Sequence, residues 1–353
     1  MFCVFEEFYE TQKFNSQYMV AVEKHGIILE KREMDFEIEG VLNPAVIMVD
    51  GEIHMYYRAV AKGNRSTVGY CRLSDPLTVA ERFDHPIVSP EYFYENHGVE
   101  DPRIVKIDDT FYMSYCAYDG INAFGAVATS KDGQNFEKQG ILVPQVEGDQ
   151  FREWLHFNGN INLKYFRLNM GNNYVWDKNL IFFPRRIYGE LFILHRIKPG
   201  IQMASVKSLK DLTPKYWEEY LRNLEDYIVL DPKYDHELSY IGNGCPPIET
   251  EHGWLIIYHG VHDVVSGYMY TACAALLDLE NPFKEIGRLP YPLFIPEAEW
   301  ELKGYVNNVV FPSGAVVVDD DLYIYYGAAD ERIAVASVKM SELLQELLHH
   351  KTI

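Results

Sequence analysis

Short apolar runs separated by two-residue turns recur along this chain in one order. Five segments share it: a polar or aromatic residue, a proline-containing apolar run, a turn, an aromatic-rich strand, a turn and a second apolar strand. They read NPAVIMVDGEIHMYYRAV from residue 43, EDPRIVKIDDTFYMSYCAYD from 100, KNLIFFPRRIYGELFILHRI from 178, GCPPIETEHGWLIIYHGV from 244 and NNVVFPSGAVVVDDDLYIYYGAAD from 307. Apolar and polar positions alternate, and D-G, D-D, Y-G and H-G turns divide the runs, which is the signature of antiparallel strands. Repeats of about 60 residues, each with three or four short strands, fit blades set radially around a channel. The expectation is an all-β fold, a five-bladed β-propeller with a few peripheral helices. Its blades lie near 43–75, 100–133, 178–211, 244–281 and 307–341. Segments 209–224 and 340–350 are amphipathic and read as helices, and 145–175 reads as a long rim loop. No linker composition interrupts the chain, so 1–353 reads as one domain.

Composition narrows the function. With 48% hydrophobic residues among 353, the chain can bury a large core. Its 32 basic against 52 acidic residues give a net charge of −20, which disfavours nucleic acid and anionic membranes as partners. No apolar stretch approaches a membrane span, and the opening MFCVFEEFYETQKF lacks a basic region followed by an apolar run. A cytoplasmic protein is expected. Cysteines 3, 71, 116, 245 and 273 are scattered, with no metal-site spacing, and read as reduced buried thiols.

In such a repeat the residues opening each first strand converge. These are Asn43, Asp101, Phe182–Phe183, Gly244–Pro246 and Asn307–Asn308, with Arg58, Tyr118–Asp119, His195–Arg196, His259 and Asp330 closing the second strands nearby. Asp101 is the one carboxylate at an opening position, and a single carboxylic acid can protonate a leaving group. Around it the rim gathers Arg58, Lys178, Arg185, Arg186, His195, Arg196 and His259, a concentration suited to an anion. Glycoside hydrolysis by water needs two carboxylates, with Asp119 or Asp330 as the candidate second. Attack by phosphate needs one acid and a cationic pocket.

The ordered motifs NPAVIMVDGEIHMYYRA, GVEDPRIVKIDDTFYMSYCAYDG, DKNLIFFPRRIYGELFILHRI, GNGCPPIETEHGWLIIYHGV and YYGAAD resemble glycoside hydrolase family 130, the β-mannoside phosphorylases and related β-mannosidases, over about residues 38–340. The resemblance implies a five-bladed propeller with Asp101 as proton donor, in some members through the mannosyl 3-hydroxyl. It implies phosphate contacts from Lys178 and His195 and a mannosyl contact from Asp330. Arg58 and Arg196 match further positions suited to phosphate; Asn43, Arg103, Tyr118, Asp119, Tyr240 and His259 match positions suited to the sugar. Tyr118, Tyr240 and Tyr305 are candidates to stack on sugar faces. Two departures stand out: Ala123, Phe124 and Gly125 stand where many phosphorylases carry a triplet with one basic residue, and Arg185–Arg186 follow Pro184.

The expected activity is inverting phosphorolysis of a terminal β-mannoside to α-mannose 1-phosphate and a shortened acceptor: glucose, N-acetylglucosamine or a mannooligosaccharide. Inorganic phosphate is co-substrate, and no cofactor or metal is called for. A water-using β-mannosidase and a non-catalytic glycan-binding propeller are the alternatives. Linkage and oligomeric state, including a homo-oligomer, stay open.

Overall fold

The computed structural model describes residues 20–169, 173–265 and 267–352. Cys3 and the N-terminal segment read above lie outside them. Strand β1 (Val22–Leu29) precedes five antiparallel units. The first holds β2 (Gly40–Val49), β3 (Glu52–Ala61), β4 (Arg65–Asp75) and β5 (Thr78–Arg82). The second holds β6 (Gly98–Ile107), β7 (Thr110–Tyr118), β8 (Ala123–Ser130) and β9 (Glu137–Ile141). The third holds β10 (Asp177–Phe182), β11 (Leu191–Ile197), β12 (Ile201–Val206) and β13 (Ile228–Leu230). The fourth holds β14 (Tyr240–Asn243), β15 (Ile248–Thr250), β16 (Gly253–Val264), β17 (Gly267–Leu277) and β18 (Glu285–Arg288). The fifth holds β19 (Val310–Val318), β20 (Asp321–Ala328) and β21 (Arg332–Lys339), and β1 pairs with β21 as its fourth strand.

Five apolar layers separate these units, one between each consecutive pair and one between the fifth and the first. The strands therefore bury both faces. Ile256 packs toward the third unit and Ile257 toward the fifth; Ile104 packs toward the first and Val105 toward the third. This departs from the expected alternation of apolar and polar positions. Inner strands such as Trp254–Tyr258 are apolar throughout, as doubly covered strands must be. First strands touch from β2 to β6, β6 to β10 and β10 to β14; β19 touches β16 and β17 of the fourth unit and β2 of the first. At their far ends Val46, Ile104, Pro184, Pro246 and Val316 help line a cavity of about 510 Å³, to which all five units contribute.

A second repeat supports the first. Glu37, Glu95, Glu237 and Glu301 are fully buried, and each accepts a hydrogen bond from a second-strand tyrosine: Tyr57 (2.8 Å), Tyr115 (2.7 Å), Tyr258 (2.6 Å) and Tyr326 (2.6 Å). Each also pairs with a cation, respectively Arg82, Lys138, Arg288 and Lys24. Four buried carboxylates are tolerated because every one is both hydrogen-bonded and charge-paired.

Outside the strands, segment 145–175 is not a bare loop. Helices Gly148–Leu155 and Lys164–Leu168 lie in it, and Phe151, Leu155 and Tyr165 pack on Trp217, Tyr220 and Leu221. The expected helix over 209–224 is shorter, Pro214–Arg222. Thr213 caps it by accepting from the Tyr216 N–H at 3.2 Å, and Pro214 fits the first turn, where no N–H bond is lost. The C-terminal helix runs Met340–His349, as its apolar stripe predicts.

Candidate active site

The site is built by one backbone irregularity used repeatedly. In the first unit Leu42 opposes Arg58 and Ala45 opposes Tyr56, so Asn43 and Pro44 together face the single residue between. The same two-against-one bulge places Asp101–Pro102 between the pairs Glu100/Cys116 and Arg103/Ser114. It places Asn179–Leu180 between Lys178/Arg196 and Ile181/Leu194. In the fourth unit the N–H groups of Gly244 and Cys245 both donate to the Ile257 carbonyl, directly after Asn243. Bulges of this kind re-aim side chains beside active sites. The leading residue has φ of 48° at Asn43, 50° at Asp101 and 53° at Asn179, a left-handed region that Asn and Asp enter at lower cost than other non-glycine residues.

The bulges bring Asn43, Asp101, Asn179 and Asn243 together. The Asn43 amide donates to Asp101 Oδ1 at 2.7 Å, and the Asn243 amide donates to the Asn179 carbonyl at 2.9 Å. Asn179 replaces Phe182–Phe183 as the third unit's opening residue, and Asn243 replaces Gly244–Pro246 as the fourth's. Both aromatic residues belong to the apolar layers instead. Of the four bulge residues only residue 101 is an acid.

Cations surround it. Arg58 donates to Asp101 Oδ1 at 3.4 Å, to Glu100 at 2.8 Å and to Ser66 at 2.8 Å. Lys178 Nζ lies 3.8 Å from the other Glu100 oxygen. Arg196, opposite Lys178 across the strand pair, anchors Nε on Asn179 Oδ1 at 3.2 Å, and its buried Nη1 has no partner among the described residues. Burial works to raise the Asp101 carboxyl. Arg58 first, then Lys178, the Asn43 hydrogen bond and Arg103 outweigh it and hold the group down to about 2. Asp330, at φ 52° after β20, behaves oppositely. Burial, reinforced by Asp101 and Glu100 against the pull of Arg58 and Lys178, pushes it up to about 6.

The other expected residues separate into those at the site and those behind it. Arg103 is 1% exposed and braces the bulge: its Nη1 donates to the Asp101 and Pro102 carbonyls at 3.0 and 2.9 Å. Tyr240 lies under Arg196 and bonds the Tyr270 hydroxyl. His259 is buried against Phe311 at 4.5 Å, and burial first, then Arg196 and Arg103, drives its pKa well below the usual imidazole range. Gly242 admits this crowding: a Cβ there would lie 2.6 Å from His259 Nε2 and 2.8 Å from Asn179 Oδ1.

His195 is placed otherwise than the resemblance implies. It stands where the other units carry their Glu-bonded tyrosine, fully buried. Nδ1 is 2.7 Å from Asp177 and Nε2 2.8 Å from the Tyr220 hydroxyl, so no ring nitrogen is left for phosphate. Asp119 is consumed by its own turn, accepting from the N–H groups of Ile121 (2.8 Å) and Asn122 (2.6 Å) and from the Asn122 amide (3.0 Å). Tyr118 donates to the Gly120 carbonyl at 2.9 Å and packs edge-on to Trp176. Arg185 pairs with Glu249 at 2.7 Å and Arg186 lies 3.7 Å from Asp108, away from the bulges. Tyr305 is 72% exposed. Ala123 and Phe124 are buried in β8, and a Cβ at Gly125 would collide with Val143 and Leu180.

Two site residues escape the motif reading. Lys198, just past β11, sits 3.8 Å from the Tyr240 ring centre. Trp176, just before β10, lies under Lys178 at 5.7 Å and keeps 41% of its surface exposed. Neither belongs to a repeated position, so no spacing marks them.

The glycoside hydrolase 130 family model, described as β-1,4-mannooligosaccharide phosphorylase, matches residues 25–348. The chain belongs to this family. It is 32% identical over 329 residues to the 1,2-β-oligomannan phosphorylase of Thermoanaerobacter sp. strain X514, covering 90% of this chain and 96% of the relative. It is 33% identical over 331 residues to the β-1,2-mannobiose phosphorylase of the same organism, covering 88% and 94%. Among solved structures, the Listeria innocua β-1,2-mannobiose phosphorylase in complex with β-1,2-mannobiose superposes with a TM-score of 0.70 at 24% identity, over 92% of this chain and 99% of that one. A family 130 structure, described among glycoside hydrolases that target β-1,2 mannosidic linkages in Candida mannan, superposes with a TM-score of 0.69 at 23% identity, over 92% of this chain and 95% of that one. The enzyme is thus a member of a phosphorylase family with an all-β fold. Among the described residues no helix is long and apolar enough to cross a membrane.

Proposed function

We propose that this family 130 enzyme is an inverting β-mannoside phosphorylase built on a five-bladed propeller, with Asp101 as its acid. The observation that carries the reading is one acid among the four bulge residues, set in a cluster of Arg58, Lys178 and Arg196 with an unpartnered guanidinium nitrogen. The five apolar layers and the cyclic succession of contacts between units support the propeller. Phosphate bound between Lys178 and Arg196 attacks the anomeric carbon as the glycosidic bond breaks. The leaving oxygen takes the proton of Asp101, and α-mannose 1-phosphate forms with inverted configuration.

In the free enzyme Asp101 is held ionised, so it needs loading. An entering phosphate dianion offsets the cationic field of Lys178 and raises the proton affinity of Asp101, which makes it an acid when the nucleophile is present. The leaving sugar lies against the exposed indole of Trp176. The named relatives favour a mannose acceptor in β-1,2 linkage. Retaining a sugar phosphate product is served by a cytoplasmic location.

Hydrolysis is the second reading, favoured by Asp330: a carboxyl held near 6 beside Asp101 suits a base that deprotonates water. One assay separates the two. β-1,2-mannobiose, β-1,4-mannobiose, β-1,4-mannosyl-glucose and β-1,4-mannosyl-N-acetylglucosamine are each incubated with and without inorganic phosphate. Mannose 1-phosphate is expected only with phosphate, fastest from β-1,2-mannobiose; free mannose released equally in both conditions sinks phosphorolysis.

A further inference from the structure

Among the described residues, two cations of the site lack a counter-charge. Arg196 is 5% exposed, and its Nη1 makes no hydrogen bond to any of them. Lys198 lies two residues on, in the turn between β11 and β12, with no carboxylate paired to it among the described residues. Both stack on one ring: the Tyr240 centroid is 5.4 Å from the Arg196 guanidinium carbon and 3.8 Å from Lys198 Nζ. Elsewhere in the molecule buried lysines are matched, Lys24 by Glu301 and Lys138 by Glu95. Gathering like charges without acids is unfavourable until an anion enters, and a buried donor without partner marks where one of its oxygens goes.

We propose that Lys198 is a ligand of the phosphate co-substrate, closing with Arg196 and Lys178 a three-cation cradle over Tyr240 for a tetrahedral oxyanion. The inference rests on the phosphorolysis reading and names a residue that it leaves out. Tyr240 fixes the ammonium by its ring face, so Lys198 is held in place before the anion arrives. The groups that face Lys198 are consistent with this: burial first, then Arg196 and Lys178, pull its pKa down to about 7. The free site thus partly sheds the proton that an anion would restore.

The test uses the full-length enzyme and its Lys198→Met and Lys198→Arg variants. Lys198→Met is expected to raise KM for phosphate about 10-fold or more while kcat and KM for the mannoside stay within about 2-fold, the loss of one charge-assisted contact. Lys198→Arg restores most of the affinity. Inorganic phosphate alone raises the melting temperature of the wild type, and Lys198→Met loses that shift. A Lys198→Met enzyme with wild-type phosphate KM and an unchanged phosphate-induced shift overturns the role of Lys198 and leaves phosphorolysis standing. A wild type that turns over without phosphate and is not stabilised by it overturns both. Should Lys198→Met fold poorly, sulfate inhibition of the wild type between pH 6 and 8.5 decides. Inhibition weakening as pH rises through about 7 supports Lys198, and a flat profile overturns it.

Discussion

The bulges of the second and third units share a backbone and differ in chemistry. Each puts a left-handed residue after a charged one, φ 50° at Asp101 and 53° at Asn179. In the second unit the pair is Glu100–Asp101, with Cys116 opposite Glu100; in the third it is Lys178–Asn179, with Arg196 opposite Lys178. One unit thus presents acid and its neighbour presents base, and they meet where Lys178 reaches Glu100 at 3.8 Å. The difference lies in three side-chain positions on a common scaffold. A repeat fold can therefore give neighbouring copies opposite charge without altering the strand frame, as the proposed division into acid and anion site requires.

Erasing the difference is the harshest test. Asp101→Asn gives the second bulge the residue of the third, keeps the left-handed backbone and removes the proton. Activity should fall by about 10³-fold, the usual contribution of a positioned general acid, while the melting temperature drops by a few degrees as the charge paired with Arg58 is lost. If the enzyme is instead a binding module, sugar affinity survives and there is no turnover to lose. The reciprocal change, Asn179→Asp, adds a carboxylate where Arg196 Nε is anchored at 3.2 Å. It supplies the cradle with an internal anion, so KM for phosphate should rise about 10-fold or more while the mannoside KM moves little. A phosphate KM that does not change would mean that the third bulge is not part of the anion site.

Much of this arrangement is readable in the chain. The five strand sets, Asp101 and the flanking cations Arg58, Lys178 and Arg196 follow from repeated motifs. The third and fourth copies are less legible because their prolines, 184 and 247, do not sit at the bulge. The bulge needs a residue that tolerates positive φ, and Leu180 or Gly244 can follow it as well as proline does. Another spacing does mark it: Glu37, Glu95 and Glu237 stand six residues before Asn43, Asp101 and Asn243. The third unit has Asn173 in place of that glutamate, next to the helical insertion, and there the paired tyrosine has become His195. This is why the ring of a histidine beside Arg196 in sequence is spent on Asp177 and Tyr220. Strand β1 is harder still, since its partner β21 lies some 300 residues away and no local pattern links them.

Asp330 sharpens the comparison, because it is an acid brought in from outside the bulges and is held in the opposite proton state. Asp101 lies at about 2, below its ordinary value of 3.8, so its native interactions add stability above pH 4 that is lost as pH falls toward 2. Asp330 lies at about 6, above the same ordinary value. The folded state therefore holds a proton there that the unfolded chain has already lost. Stability declines between pH 4 and 6, and the full penalty of a buried, uncompensated carboxylate is present above 6. Asp330→Asn removes that penalty. The variant should melt about 2 °C above wild type at pH 8, with the gap closing near pH 4. Thermal unfolding across this range checks it. A variant less stable than wild type at pH 8 would mean that Arg58 and Lys178 compensate Asp330 as they do Asp101, and the two acids would then differ in position alone.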